Sequence, residues 1–328
     1  MIDALSLPFM QRALLAALLS GLVAPAIGTF IVQRRMSLLG DGLGHVAIMG
    51  VGLALMTGWA PLPVAVVTAV SGAVVVELLR QHGKASGDLG LAILFYGGLA
   101  SGVLMAGIAG QGAGGLSAYL FGSLTSVSES DVWIIAVLAL VILLVTVGLA
   151  PRLFAVSVDE DYSRVLGIRV RLLNLLVVVL AAVTVTVSMR TVGLLLISAL
   201  MVIPVATAQQ TFIGFTASFF GAMGLGTLAA VGGTVGSLYL DTATGATIVV
   251  TAILLLGLSW VFGRWLRRAD RFIPFVEDDG HHEYHPAEAH DDDFAHTPGV
   301  KVIQHGDHLD YVHDGHRHAR HGDHYDEH

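Results

Sequence analysis

Apolar residues run along most of this chain in blocks of roughly twenty, separated by short polar breaks. A helix needs about 20 predominantly apolar residues to cross the hydrocarbon core of a bilayer. Nine stretches meet that need: residues 13–33, 43–59, 62–79, 89–110, 132–150, 172–189, 192–211, 213–240 and 244–265. The first is bracketed by Arg12 and Arg34-Arg35. It is too long for a cleavable signal peptide and lacks a small-residue cleavage site before the next stretch, so it reads as retained. The break Trp59-Ala60-Pro61-Leu62-Pro63 reads either as a tight turn between two spans or as a re-entrant dip. The second reading would leave eight spans.

Composition supports the same class. Of 328 residues, 55% are hydrophobic and 13% charged, and mean hydropathy is +0.76. A soluble domain carries about 25% charged residues, so no soluble fold could hide this much apolar surface. A cytosolic enzyme, a nucleic-acid binder and a disordered protein are excluded, which leaves an all-α polytopic membrane protein. The chain has no cysteine, which removes disulfides, thiolate nucleophiles and cysteine-ligated metal. Glycine pairs four apart, such as Gly98/Gly102 and Gly232/Gly236, put bare backbone on one helix face and permit close helix packing in lipid.

The formal charge of −8 averages two unlike pieces. Residues 1–276 hold 14 Arg/Lys against 11 Asp/Glu, a net of +3. Residues 277–328 hold 3 against 14, a net of −11, with 13 of the 15 histidines. The chain therefore divides near Phe275, into a membrane domain over 1–275 and a histidine-rich tail over 276–328. Arginine and lysine in short loops mark the cytoplasmic side. They cluster at Arg34-Arg35, at Arg80/Lys84, at Arg152/Arg164/Arg169/Arg171 and at Arg264/Arg267/Arg268/Arg271. With nine spans all four clusters fall on one face, so the tail is expected in the cytoplasm. Trp59, Trp133, Trp260 and Trp265 sit near span ends, where indole rings favour the membrane interface.

Three segments carry candidate chemistry. In Gly40-Asp41-Gly42-Leu43-Gly44-His45 the carboxylate and the imidazole are four apart, so a helix puts them on one face, where both could reach one cation. Such a pair suits zinc, manganese or ferrous iron, and ionisable groups at membrane depth are functional candidates by default. The competing reading makes Asp41 a helix cap and leaves His45 bonded to a nearby carbonyl. The loop over 151–171 starts acidic at Asp159-Glu160-Asp161, then predicts a short helix through Arg164 with Gly167 as its stop. It suits docking to a motor subunit, or serves simply as a solvated connection. No Walker A loop is present, because neither lysine lies in the required glycine context. An ATP-driven system would need its ATPase on a separate polypeptide.

The tail interleaves histidines with acids, and His305-Gly306-Asp307-His308 recurs as His321-Gly322-Asp323-His324. Histidine-rich tracts of this kind read as metal-binding. The candidate ligands are His305, Asp307, His308, His313, His316, His318, His321, Asp323, His324 and His328. Too few apolar residues are present to build a core, so disorder is expected without metal. The alternative is a solubilising, pH-responsive acidic tail.

The stretch Arg34-Arg35-Met36-Ser37-Leu38-Leu39-Gly40-Asp41-Gly42-Leu43-Gly44-His45-Val46-Ala47 resembles the motif after the first span of bacterial zinc/manganese/iron ABC permeases. Residues 191–208, read as TVGLLLISALMVIPVATA, resemble that family's VGxLLVxALLVIPAATA segment. Asp161 to Gly167 is similar to its coupling segment. The resemblance implies a permease of cobalamin-importer-like architecture, two copies of which pair with two separate ATP-binding subunits and receive metal from an extracytoplasmic binding protein. It implies metal-pathway roles for Asp41 and His45, and ATPase coupling by Asp159, Asp161, Arg164 and Gly167. Gly44 replaces the family's usual serine, Arg164 stands where alanine is usual, and Gln209 follows Ala208 where arginine is common. The tail is an addition to the usual body.

The leading expectation is ATP-driven import of a divalent transition metal across a bacterial plasma membrane. Zinc is favoured because the tail's imidazoles and carboxylates suit it better than manganese. Zinc would be transported ion and tail ligand, with no permanently bound cofactor. The alternative is a proton-coupled secondary transporter or exporter, which would want a second histidine-bearing site in the membrane. A metalloenzyme would want H-E-x-x-H, and His281-His282-Glu283-Tyr284-His285 has the wrong spacing.

Overall fold

Each of the nine apolar stretches becomes a helix, and the polar breaks add three short ones. The computed structural model describes residues 7–81, 87–111, 114–122, 127–189, 193–269, 285–286, 301–305, 308–313, 316–321 and 324–327. The helices are α1 (Pro8–Gln33), α2 (Leu39–Thr57), α3 (Pro61–Gln81), α4 (Gly87–Ile108), α5 (Gly114–Phe121), α6 (Glu129–Gly148), α7 (Ala150–Val158), α8 (Glu160–Val165), α9 (Val170–Ser188), α10 (Leu194–Thr211), α11 (Phe215–Leu240) and α12 (Thr244–Ala269). Among the described residues, eight are long and apolar enough to cross a membrane, and α10 is a further apolar helix. The break at Trp59 is a turn, because Gly58 takes a left-handed conformation (φ 75°) that ends α2 before Pro61 opens α3.

Helix limits follow local chemistry. The span expected from residue 132 begins at Glu129, since Ser128 and Asp131 form a reciprocal capping box that satisfies free amides of the first turn. Pro25 lies inside α1, where a ring in place of an N–H frees the carbonyl four residues back.

The helices sort into inner and outer positions. The most apolar windows of α1, α2 and α9 are 72%, 72% and 67% buried, against 22–28% for the other spanning helices. The inner helices bury many small residues: Ala16, Ala17, Ala24 and Ala26 of α1, and Gly42, Gly44 and Ala47 of α2. Short side chains let backbones approach where lipid provides no hydrophobic drive between helices. The exposed faces carry large apolar groups such as Leu104, Leu144 and Leu254, as lipid contact requires.

Met1–Ala269 and Asp270–His328 form two separate compact units. In the second, β1 (His285–Pro286), β2 (Lys301–His305), β3 (His308–His313), β4 (His316–His321) and β5 (His324–Glu327) pair antiparallel in the order β1-β5-β4-β3-β2. These short strands follow a signal that composition hides. Gly306-Asp307, Asp314-Gly315 and Gly322-Asp323 recur every eight residues, and dipeptides of this kind favour two-residue hairpin connections. Backbone pairing can then form a sheet without a large apolar core.

Candidate functional site

Helix α2 carries Asp41 in its first turn, and its N-cap residue is Leu38, with no side-chain cap bond. Asp41 is therefore not the cap. An acid in the first turn still lies favourably in the field of the helix N-terminus. His45, one turn on, is 4% exposed. Its Nδ1 donates to the Asp41 backbone carbonyl at 2.7 Å. A carbonyl can only accept, so Nδ1 carries a proton, and in the neutral ring the lone pair is on Nε2. Fixing a ligating imidazole's tautomer through its second nitrogen is the usual way a metal-binding histidine is oriented. The ring is also held against Phe95, at 4.0 Å between centroids.

This position depends on α4. A Cβ added at Gly98 would lie 2.6 Å from the His45 carbonyl carbon, and one at Gly102 would lie 2.6 Å from the Ile48 side chain. The bare strip foreseen at Gly98/Gly102 is thus the face on which α2 rests. On the other side of α2, Ser198 of α10 lies beside Gly40; a Cβ there would be 3.0 Å from its Oγ. Ser198 is buried and its Oγ has no hydrogen-bond partner. Among the described residues no three histidines, cysteines or carboxylates cluster as metal ligands.

The second predicted group lies on α8. Asp159 caps this helix, its carboxylate accepting from the amides of Asp161 and Tyr162, both at 2.9 Å. Arg164 pairs with Asp161 and, at 3.3 Å, with Glu160. Gly167 takes φ +76°. The Gly167 amide bonds to the Arg164 carbonyl and the Ile168 amide to that of Ser163, both at 3.0 Å. That is a Schellman closure, which demands a left-handed residue at this place. All four predicted residues therefore build or close one short helix. Around it apolar side chains stand outward: Tyr162 is 61% exposed and Val165 84%.

A polar joint between α8 and the membrane helices was not foreseen. Glu160 accepts from Asn174 of α9 at 2.9 Å. Arg34, just past α1, donates Nε to Ser157 of α7 at 3.1 Å. On α3 the 1%-exposed Glu77 takes two bonds from Arg80, each 2.9 Å, and one from Gln81. A cavity of about 490 Å³ is lined by Arg34, Glu77, Arg80 and Glu160; a second, of about 500 Å³, shares Arg80 and Glu160 and adds Arg164, Arg171 and Asn174. Three of the four arginine clusters in the sequence thus meet at one end of the bundle. A lone acid and base three apart in an apolar span, Glu77 and Arg80, was the one signal that could have disclosed it.

The tail candidates fall on hairpins. His305 pairs with His308, His313 with His316 and His321 with His324 in backbone register, and His318 pairs with Glu327. Asp307, Asp323 and His328 lie outside the described residues.

Comparison with known proteins places the chain in a family. The chain is 32% identical over 259 residues to the manganese transport system membrane protein MntC of Halalkalibacterium halodurans, covering 79% of this chain and 88% of that one. It is 30% identical over 248 residues to the high-affinity zinc uptake system membrane protein ZnuB of Haemophilus influenzae, covering 75% and 95%. The solved structure of PsaBC from Streptococcus pneumoniae in complex with Fab aligns with a TM-score of 0.73 and 29% identity, covering 82% of this chain and 98% of that one. Residues 6–263 match the ABC 3 transport family, and the chain belongs to that family of membrane permeases.

Proposed function

We propose that this chain is the membrane-spanning subunit of an ATP-driven importer of divalent transition metal, with zinc as its ion. The observation that carries the reading is the state of His45: buried, with Nδ1 committed to the Asp41 carbonyl, so that Nε2 is the nitrogen available to a cation. Asp41 supplies charge from the same helix face. Two protein ligands completed by water make a weak site, which suits transport because a tight site would trap the ion. The tail's histidines favour zinc over manganese, since relatives named for each metal match the chain comparably.

The exposed apolar rim of α8 is the surface for a separate ATP-binding subunit, and an extracytoplasmic metal-binding protein delivers the ion to a permease dimer in the bacterial plasma membrane. ATP-driven closure pulls on 151–171 and opens the pathway alternately to each side. The tail, on the cytoplasmic side, offers cross-strand histidine pairs to arriving metal and buffers it or slows transport. The permease itself performs no hydrolysis and keeps no permanent cofactor.

Radioactive zinc accumulation tests this in cells expressing the chain with and without its ATPase and binding protein, with manganese as competitor. Uptake that requires both partners and resists excess manganese is expected. Uptake by this chain alone, tracking the proton gradient, would identify a secondary carrier instead. Asp41→Asn and His45→Ala are each expected to abolish uptake while the complex still assembles; wild-type uptake in both would remove them from the pathway.

A further inference from the structure

Among the described residues, five buried side-chain atoms have no hydrogen-bond partner: Gln33 Oε1, Arg34 Nη2, Ser163 Oγ, Asn174 Oδ1 and Ser198 Oγ. Gln33 and Arg34 line the first cavity at the joint, Asn174 lines the second, and Ser163 lies on α8 itself. Buried polar atoms are paired in nearly all native structures, so a group of orphans in one place calls for a cause. Here four of the five, all but Ser198, lie around the contact between a short exposed helix and the membrane body.

The charges show what is missing. Arg34 follows α1 directly and holds Ser157 through Nε, which leaves Nη2 without an acceptor. Burial pushes its guanidinium below the usual arginine range, and the Glu160 carboxylate is the largest influence opposing that shift. Glu160 lines the same cavity. Its remaining partners are Asn174 and a 3.3 Å contact to the half-exposed Arg164. A buried donor and a loosely held carboxylate therefore face one cavity from two elements. Arg34 also stands at the corner where α1 turns into α2, seven positions before Asp41.

We propose that Arg34 is a positioning residue for transport: when α8 moves inward, Arg34 Nη2 donates to the Glu160 carboxylate across this cavity and carries the motion to the α1–α2 corner that bears Asp41 and His45. The contact satisfies the orphaned donor, narrows the cavity and gives the joint a second stable arrangement. Transitions of this kind rest on packed elements with two discrete states rather than on continuous bending. The inference relies on α8 being the ATPase-docking element, as proposed above.

The test uses the complete transporter, permease with ATPase and binding protein, reconstituted in liposomes and supplied with zinc chloride or manganese chloride. Arg34→Gln and Glu160→Gln are each expected to lower metal uptake about ten-fold, the loss of one charged hydrogen bond, while ATP hydrolysis persists. The exchanged pair Arg34→Glu with Glu160→Arg is expected to recover uptake. A pair that performs no better than the single variants, or single variants with wild-type uptake per ATP, overturns the proposal.

The absence of native cysteine supplies a second measurement that does not depend on activity. Arg34→Cys with Glu160→Cys should cross-link through a short bifunctional thiol reagent more efficiently in the ATP-bound complex than in the nucleotide-free one. Equal yields overturn it. If Val165→Asp leaves ATPase binding intact, the docking reading itself fails. A failure confined to the Arg34 and Glu160 variants, with docking sensitive to Val165→Asp, overturns this inference alone.

Discussion

His45 shows how much one backbone carbonyl decides at the residue scale. Spacing put it on the same face as Asp41, but the hydrogen bond to the Asp41 carbonyl is what fixes the tautomer. Gly98 then fixes where that nitrogen sits. Gly98→Ala pushes a methyl group to 2.6 Å from the His45 carbonyl carbon, and overpacking of this kind costs about 1–3 kcal/mol. A lower melting temperature in detergent and reduced uptake are expected together. Arg80 presents a different case. Removing it leaves the Glu77 carboxylate, 1% exposed, without its counter-charge, and breaking a buried pair costs about 3–5 kcal/mol. Arg80→Ala should therefore melt much earlier than wild type, while Arg80→Leu combined with Glu77→Leu recovers most of the loss. Sequence marked Asp41, His45 and the Gly98/Gly102 strip. It did not mark Ser157, Asn174 or Ser198, because a polar residue near a span end looks alike whether solvated or held in a joint.

At the scale of elements, periodicity located all nine apolar helices, and capping chemistry explains why α6 starts earlier than hydropathy alone suggests. Helix α8 shows local and tertiary demands together. Asp159 starts it, Gly167 stops it, and neither depends on the rest of the fold. Gly167→Val places a branched residue at φ +76°, where left-handed geometry costs about 1–2 kcal/mol. Weaker binding of the ATP-binding subunit in pull-down from membranes is the expected result, with overall thermal stability little changed because the helix is peripheral. Tyr162→Ala should weaken the same binding by removing exposed apolar contact area rather than by unwinding the helix, so circular dichroism should stay unchanged.

For the whole molecule, the division of labour is between a buried inner set of helices and a histidine-rich appendage. Deleting residues 277–328 should leave basal metal uptake intact and alter tolerance of cells to excess zinc; no change in either tolerance or zinc inhibition of transport would remove the tail from regulation. Zinc retained by the full-length protein beyond that held by the truncated one should fall as pH drops below about 6.5, because imidazole must lose its proton to ligate. Calorimetric titration of both proteins across that range reads the difference directly.

Sequence by itself determined the class of this protein, since blocks of about twenty apolar residues admit a membrane-spanning helix and little else. It also located Asp41 and His45, because their spacing is local to one helix. Tertiary structure alone decided which helices lie inside, for α1 and α3 have equal hydropathy of 2.2 yet are 72% and 28% buried. Hydropathy measures transfer from water, and lipid and protein interior are equally apolar destinations. The joint at Arg34, Glu77, Arg80 and Glu160 was likewise closed to sequence. Its members come from three segments spread over more than a hundred positions, and only packing brings those charges to one cavity.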